Sequence, residues 1–261
     1  MITKDNLLQV VESNHRLLPG VLSKVEETKE TNLLFRYKPV EMIKHYLMQE
    51  ANVILFPSPF PNYGGMVTYR NHRFYIHINT AQPRVYENFV WVHEYYHFKY
   101  EQSKIKNAAI QTFFEDSVLN EHERQANLFA AELLVDGRLL RDLFQQMTHT
   151  LRHRPLVDWV LHLIPIFEVP FKVIVIKLLQ DGLIQEEEAL GLIDYDYQKQ
   201  LPDDFDHSIL QPTLVIKLDD LDEMLKDPAI TSGLRESDLA SIRNRASTLQ
   251  QQIREERDRY D

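Results

Sequence analysis

Trp91-Val92-His93-Glu94-Tyr95-Tyr96-His97 decides how this chain is read. It contains the pattern H-E-x-x-H. On a helix, residues four apart share a face, so His93 and His97 can offer two imidazoles to one metal ion. Glu94 follows His93 directly and is turned to where it can reach a water on that ion. The arrangement suits metal-assisted hydrolysis of a peptide bond. The pattern is short and the chain has 11 histidines, so neighbouring segments must supply the rest of the argument.

Working outward, residues 83–100 read as the helix that carries the motif. Pro83 suits its first turn, and Phe89, Val92 and Tyr96 form a buried stripe. Upstream, residues 53–56, 66–69 and 73–79 read as strands, the last two as a hairpin turning at Asn71-His72. Pro57, Pro59, Pro61 and Gly64-Gly65 mark a loop between the first two. Residues 40–51 have helical spacing. Residues 1–30 form a polar helical segment, with Pro19-Gly20 as the point where it would split in two.

Downstream, residues 101–120 read as a connection with some helix, residues 121–134 as a strong helix and residues 137–150 as another. Apolar helices at 156–164 and 170–179 flank the break Phe167-Glu168-Val169-Pro170, an order that resembles a helix-turn-helix. Two packed helices that close the domain are the stronger reading, because the second offers DNA only Lys172 and Lys177. Residues 185–208 are acidic and loop-like, and residues 213–218 read as a strand. The charged segment 234–260 places Leu239, Ile242, Ala246, Leu249 and Ile253 at 3-4-3-4 spacing. Such a helix packs on the body of the protein or makes a dimer or partner contact.

Composition narrows the function classes. The 261 residues are 44% hydrophobic and 26% charged, ordinary for a globular chain with a sizeable core. There is no cysteine, which excludes disulfides, thiolate-held zinc and a cysteine nucleophile. Residues 1–9 lack the apolar run of a signal peptide, and the longest apolar run, 169–179, is interrupted by Lys172 and Lys177; the expected place is the cytoplasm, without a membrane. A net charge of −10 argues against direct nucleic-acid binding. The basic island Arg138, Arg141, Arg152, His153 and Arg154 reads as a solvated helix face.

Two histidines do not complete a zinc site, since catalytic zinc takes three protein ligands and a water. A third histidine six residues after His97 is excluded, because Ser103 stands there, with Tyr100 in place of the glycine of that pattern. The other common solution is a glutamate on a following helix. Glu123 lies 26 residues after His97, and Asn127 shares its face, placed to hold the free ring nitrogen of a ligand histidine. Small residues at 126, 130 and 131 let this helix approach the first. Glu123 could instead close a capping box with Asn120 as N-cap, and Glu121 and His122 are competing ligands that face elsewhere on a regular helix. Tyr95, Tyr96, His149 and His153 are candidates for stabilising an oxyanion, each with a packing or surface role as the stronger reading. His77, on a strand, reads as structural.

The two motifs together resemble the ImmA/IrrE family of metallo-endopeptidases. The matching residues are His93, Glu94 and His97, then Glu123, Ala126, Asn127, Phe129, Ala130, Ala131, Leu133 and Leu134. The strand 75–79 ending in Asn79, and the stretch from Phe167 to Pro170 through Gly182-Leu183-Ile184, are similar too, so the resemblance covers about residues 40–185. The chain departs from the family at Tyr95-Tyr96, where Leu-Gly is frequent, and at Val135-Asp136, where Met-Pro is common.

The resemblance implies an α+β, zincin-like metallopeptidase domain with a small antiparallel sheet and metal-binding helices, followed by a mostly helical C-terminal part. The expected units are 1–150 (peptidase domain with N-terminal helices), 151–195 (helix-turn-helix-like closing segment) and 196–261 (extension with strand and charged helix). It also implies Zn²⁺ as cofactor on His93, His97 and Glu123, Glu94 as catalytic base, and Asn127 behind a ligand. The expected substrate is a specific protein, a transcriptional repressor of a phage or mobile element. The alternative is a catalytically weak zinc-fold protein that binds a repressor or antitoxin partner.

Overall fold

The computed structural model describes residues 1–60, 62–107, 119–199, 201–202, 205–218 and 225–260. In chain order, helices α1 (Leu7–Thr31), α2 (Leu34–Tyr37) and α3 (Pro39–Glu50) precede strands β1 (Asn52–Phe56), β2 (Gly65–Arg70) and β3 (Arg73–Asn79). Then come α4 (Arg84–Tyr100), α5 (Gln102–Asn107), α6 (Glu121–Leu134), α7 (Gly137–Thr150), α8 (Leu156–Phe167), α9 (Phe171–Gln180) and α10 (Glu186–Leu192). After two short 3₁₀ turns, α11 (Pro228–Thr231) and α12 (Glu236–Arg257) complete the described elements. The architecture is α+β.

The strand order is β1-β3-β2. The hairpin forms as its alternation predicts. Asn71 and His72 both take positive φ, 49° and 63°, which gives a turn whose twist matches the flanking strands. The sheet is mixed rather than wholly antiparallel, because β1 joins the free side of β3 in parallel, with Val53 opposite Ile76 and Leu55 opposite Ile78. To reach β2, the chain must arch over the end of β3. Asn79 organises that arch: its side chain accepts from the Ser58 and Ala81 N–H groups and donates to the Ser58 and Tyr63 carbonyls. An amide has both donors and acceptors, so one buried side chain satisfies a proline-rich loop that has few partners of its own.

Two apolar cores result. In one, Val53, Leu55, Val67, Ile76 and Ile78 on the inner face of the sheet pack with Trp91, Val92 and Tyr96 of α4 and Ala126, Phe129 and Ala130 of α6. The other gathers Leu140 and Phe144 of α7 with apolar residues of α8, α9 and α10. The N-terminal helix belongs to both, through Leu7 and Val11 in the second core and Val21 and Val25 in the first. That explains a departure from the sequence reading: α1 runs unbroken through Pro19. A proline inside a helix costs on the order of 3 kcal/mol. Here Pro19 and Gly20 are exposed, and the turns on either side are each anchored in a core.

Two other expectations are corrected, and a third is met. Residues 213–218 do not form a strand. Pro212 has no N–H to give, and Leu214 has φ 50°, so the segment makes only isolated bridges, Lys217 to Leu55 of β1 and Pro212 to Pro83 just before the motif helix. The acidic stretch after 185 is not all loop. Gln185 and Glu188 form a capping box, and three glutamates occupy the first turn of α10, where the helix dipole favours them. In the connection 101–120, α5 accounts for residues 102–107, and residues 108–118 lie outside the described residues.

The pair α8–α9 is bent by 108° at Glu168, which takes the left-handed conformation. No single helix among the described residues is long and apolar enough to cross a membrane. The inner face of α9 is buried. Lys177 donates to Glu132 of α6 (2.9 Å) and to Asp181, and Gln180 links Glu132 to Asn14 of α1. Lys172 is held by the Ile2 carbonyl and Asp194. Both lysines that α9 might have offered to DNA are therefore engaged within the chain.

Removing one partner of the buried pair leaves an uncompensated charge. Lys177→Met should lower unfolding free energy by about 3–5 kcal/mol, and adding Glu132→Leu should recover most of the loss. Urea titrations of both variants check this; a single variant as stable as the parent would contradict it.

Candidate metal centre

The helix α4 starts after Pro83, whose carbonyl accepts from the Tyr86 and Glu87 N–H groups. It places His93 and His97 on one face with their Nε2 atoms 3.1 Å apart. The helix α6 starts at Asn120, whose side chain accepts from the N–H groups of His122 and Glu123. Asn120 is thus the N-cap that the sequence suggests. The Glu123 side chain does not close the capping box but turns to the histidines: its carboxylate oxygens lie 3.3 Å from His93 Nε2 and 3.4 Å from His97 Nε2. Among the described residues these three form the group able to hold a metal ion. The competing ligands are elsewhere: Glu121 accepts from Gln125, and His122 contacts Glu101 and Lys104.

The groups behind the histidines set their tautomers. His93 Nδ1 donates to Asn127 Oδ1 (3.2 Å), the contact expected of Asn127. His97 Nδ1 donates to Glu101 Oε2 (2.6 Å), a partner that the sequence reading missed. With both Nδ1 atoms carrying the proton, each Nε2 presents a lone pair. Two such lone pairs and a carboxylate then converge with no hydrogen between them. A cation reconciles that arrangement, and the spacing fits one: a tetrahedral ion with bonds of about 2.0–2.2 Å holds its ligand atoms about 3.3–3.5 Å apart. Burial raises the carboxyls of Glu123 and Glu101, but the electrostatic pull of the neighbouring imidazoles, with hydrogen bonds from His97 Nδ1 and Lys104 for Glu101, holds both down to about 2. Both are therefore carboxylates at neutral pH.

Glu94 is buried beside this group, and burial pushes its carboxyl up to about 8, with Glu123 adding to the rise and His97 opposing it. The loop organised by Asn79 delivers Gly64 and Gly65 against it. A β-carbon on Gly65 would sit 2.8 Å from Val90 Cγ1, 2.9 Å from the His77 carbonyl oxygen and 3.0 Å from Glu94 Cγ. Only glycine lets β2 begin so close to the motif helix.

The remaining candidates lie away from the cluster. The Tyr95 ring packs among Phe35, Tyr46 and Phe129. The Tyr96 hydroxyl donates to Gln125 and accepts from Lys24, both at 2.6 Å. Each tyrosine faces the core and ties α4 to its neighbours, so neither is placed to stabilise an oxyanion. His149 and His153 are exposed on α7 and the turn after it. His77 is structural, as expected: its Nε2 donates to the Phe56 carbonyl, its Nδ1 accepts from the Tyr63 hydroxyl at 2.6 Å, and burial lowers it to about 4.

An H-E-x-x-H helix and a following helix that converge on one point, packed under a short strand hairpin, define a metallopeptidase-like domain. The chain belongs to the Peptidase_M78 family, whose model, described as the IrrE N-terminal-like domain, matches residues 48–179. No curated protein and no solved structure matches it.

The raised Glu94 has a measurable consequence in metal-free protein. Between the ordinary carboxylate range and about pH 8, the folded state holds a proton that the unfolded state releases. Stability from this group is therefore lost as pH rises through that window, by at most about 1.4 kcal/mol per pH unit. His77, lowered to about 4, acts only below its ordinary range and with the opposite sign. Melting of chelator-treated wild type should fall between pH 6.5 and 8 relative to Glu94→Gln, and parallel profiles would contradict the assignment.

Proposed function

We propose that the chain is a zinc-dependent endopeptidase in which His93, His97 and Glu123 hold the ion. The observation that carries this reading is the convergence of His93 Nε2, His97 Nε2 and the Glu123 carboxylate within 3.4 Å, with both Nδ1 protons taken by partners behind the rings. When bound, zinc supplies a lowered water pKa and polarisation of the scissile carbonyl. Glu94 is the general base. Its carboxylate accepts a proton from the attacking water and passes it to the leaving amine. Burial of Glu94 suits that exchange, since a base near neutrality both takes and returns a proton readily, and a neighbouring dication favours its ionised form before the reaction. Backbone groups on the outer side of β2, the edge strand that begins beside Glu94, suit an extended peptide laid along the sheet.

The proposed substrate is a specific protein, of the repressor type expected from the family resemblance, and that places the reaction in the cytoplasm. The DNA-binding role then belongs to the substrate, in keeping with a net charge of −10 on this chain. The helix α12 is proposed as a partner or dimer contact. Its seam is only partly covered: Ala246 and Ile253 are buried, whereas Leu249 is 52% exposed. That exposed seam also favours the second reading, a zinc-fold protein that holds its partner without cutting it.

Zinc content and cleavage separate these readings. Glu94→Gln should retain about one zinc per chain and lose at least ~100-fold in cleavage of a co-incubated repressor. His97→Ala and Glu123→Ala should lose the zinc. A stable, uncut complex with zinc-loaded wild type would favour the binding protein, and stoichiometric zinc in His97→Ala would sink the ligand set.

A further inference from the structure

The sequence reading left Glu101 unassigned, and the structure places it at the centre of a small polar junction. It is the residue that ends α4. Its N–H donates to the His97 carbonyl (3.0 Å), and its carboxylate accepts from His97 Nδ1 (2.6 Å), so backbone and side chain close on the same residue. The other carboxylate oxygen accepts from Lys104 Nζ (3.0 Å) and lies 2.9 Å from His122 Nδ1, which itself accepts from Lys104 Nζ (2.8 Å). His122 stands next to Glu123 in the first turn of α6.

We propose that Glu101 is a positioning residue that sets two metal ligands at once, orienting the His97 ring directly and fixing the first turn of α6, and so Glu123, through His122. The inference rests on the metal-site reading above. Its basis is a crossed pair of contacts between two helices. Asn127 reaches from α6 to His93 on α4, and Glu101 reaches from the end of α4 to His122 on α6. One contact would leave the helices free to pivot about it; two, on either side of the ligand cluster, hold both their separation and their rotation.

Glu123 is the ligand that most needs this. Its side chain is 45% exposed, against 14% and 13% for the histidines, so packing restrains it least. An ordinary surface ion pair does not describe Glu101, whose side chain is 8% exposed and which uses both oxygens. Lys104, 58% exposed, bridges Glu101 and His122 and so belongs to the same junction.

The test is zinc affinity by competition with a chromophoric chelator, alongside melting of each metal-free variant. Glu101→Ala and Glu101→Gln should weaken zinc binding about 10–100-fold, the usual effect of losing a group that orients a ligand. Metal-free melting of Glu101→Gln, which keeps the shape of the side chain, should stay at the wild-type value. His122→Ala should weaken binding and His122→Gln, whose amide can still meet Lys104 and Glu101, should restore much of it. Losses in the Glu101→Ala/His122→Ala pair should be less than additive, because both act along one path. Lys104→Ala, which leaves the Glu101–His97 contact in place, should weaken binding less than Glu101→Ala.

A cobalt(II) spectrum altered in Glu101→Gln while its metal-free melting stays at the wild-type value would support a change in ligand geometry rather than in folding. If Glu101→Ala does not fold, Glu101→Gln and His122→Ala carry the test. Zinc binding at wild-type strength in Glu101→Gln and His122→Ala overturns the proposal and leaves the metal site standing. Wild type that binds no zinc overturns the metal site itself, and this role with it.

Discussion

Three electron-pair donors from two helices meet within 3.1–3.4 Å, and the rest of the structure holds them there against their mutual repulsion. Two imidazole nitrogens and a carboxylate do not gather spontaneously in water. They are forced together by groups behind them, Asn127 and Glu101, and by the close packing of α4 on α6 through Ala126, Ala130 and Phe129. The sheet serves the same end less directly. Its inner face backs the motif helix, and the arch stitched by Asn79 sets Gly64-Gly65 against Val90 and Glu94. The same closeness buries Glu94 and raises its pKa.

Residues outside the family-matching segment 48–179 take part in this support. The N-terminal helix α1 runs across both cores, and its Lys24 meets the Tyr96 hydroxyl beside the motif. Tyr95 and Tyr96 stand where the resembling family often has Leu-Gly. Their rings point into the core, so the departure alters how the motif helix is anchored and leaves the open side of the cluster unchanged. A buried tyrosine hydroxyl must find partners, and Lys24 and Gln125 meet that need from two different helices.

Much of this was legible in the sequence, and the parts that were not have a common cause. The motif helix, the hairpin at Asn71-His72 and the Asn120 cap follow from local patterns: a period, a turn preference, a capping residue. The grouping of Glu123 and Asn127 with His93 and His97 was implied by the family resemblance, since spacing alone left Glu121, His122 and a capping role for Glu123 open. The continuous α1 does not, since its survival through Pro19 depends on two cores that form only when the chain is folded. The parallel placement of β1 depends on an arch held by Asn79, a contact across 21 residues. The segment at 212–217 has strand-like composition, yet Pro212 and a left-handed Leu214 restrict it to bridges. Glu101 lies between these cases. Its spacing four residues after His97 was visible, but its contact with His122 required α6 to be in place.

Everything proposed for this chain rests on His93, His97 and Glu123 holding one metal ion. Anomalous diffraction at the zinc absorption edge, from crystals of the full chain grown with zinc, tests this. One strong peak is expected about 2.0–2.2 Å from His93 Nε2, His97 Nε2 and a Glu123 carboxylate oxygen. A site empty of anomalous density, or a peak bound by other residues, would contradict it.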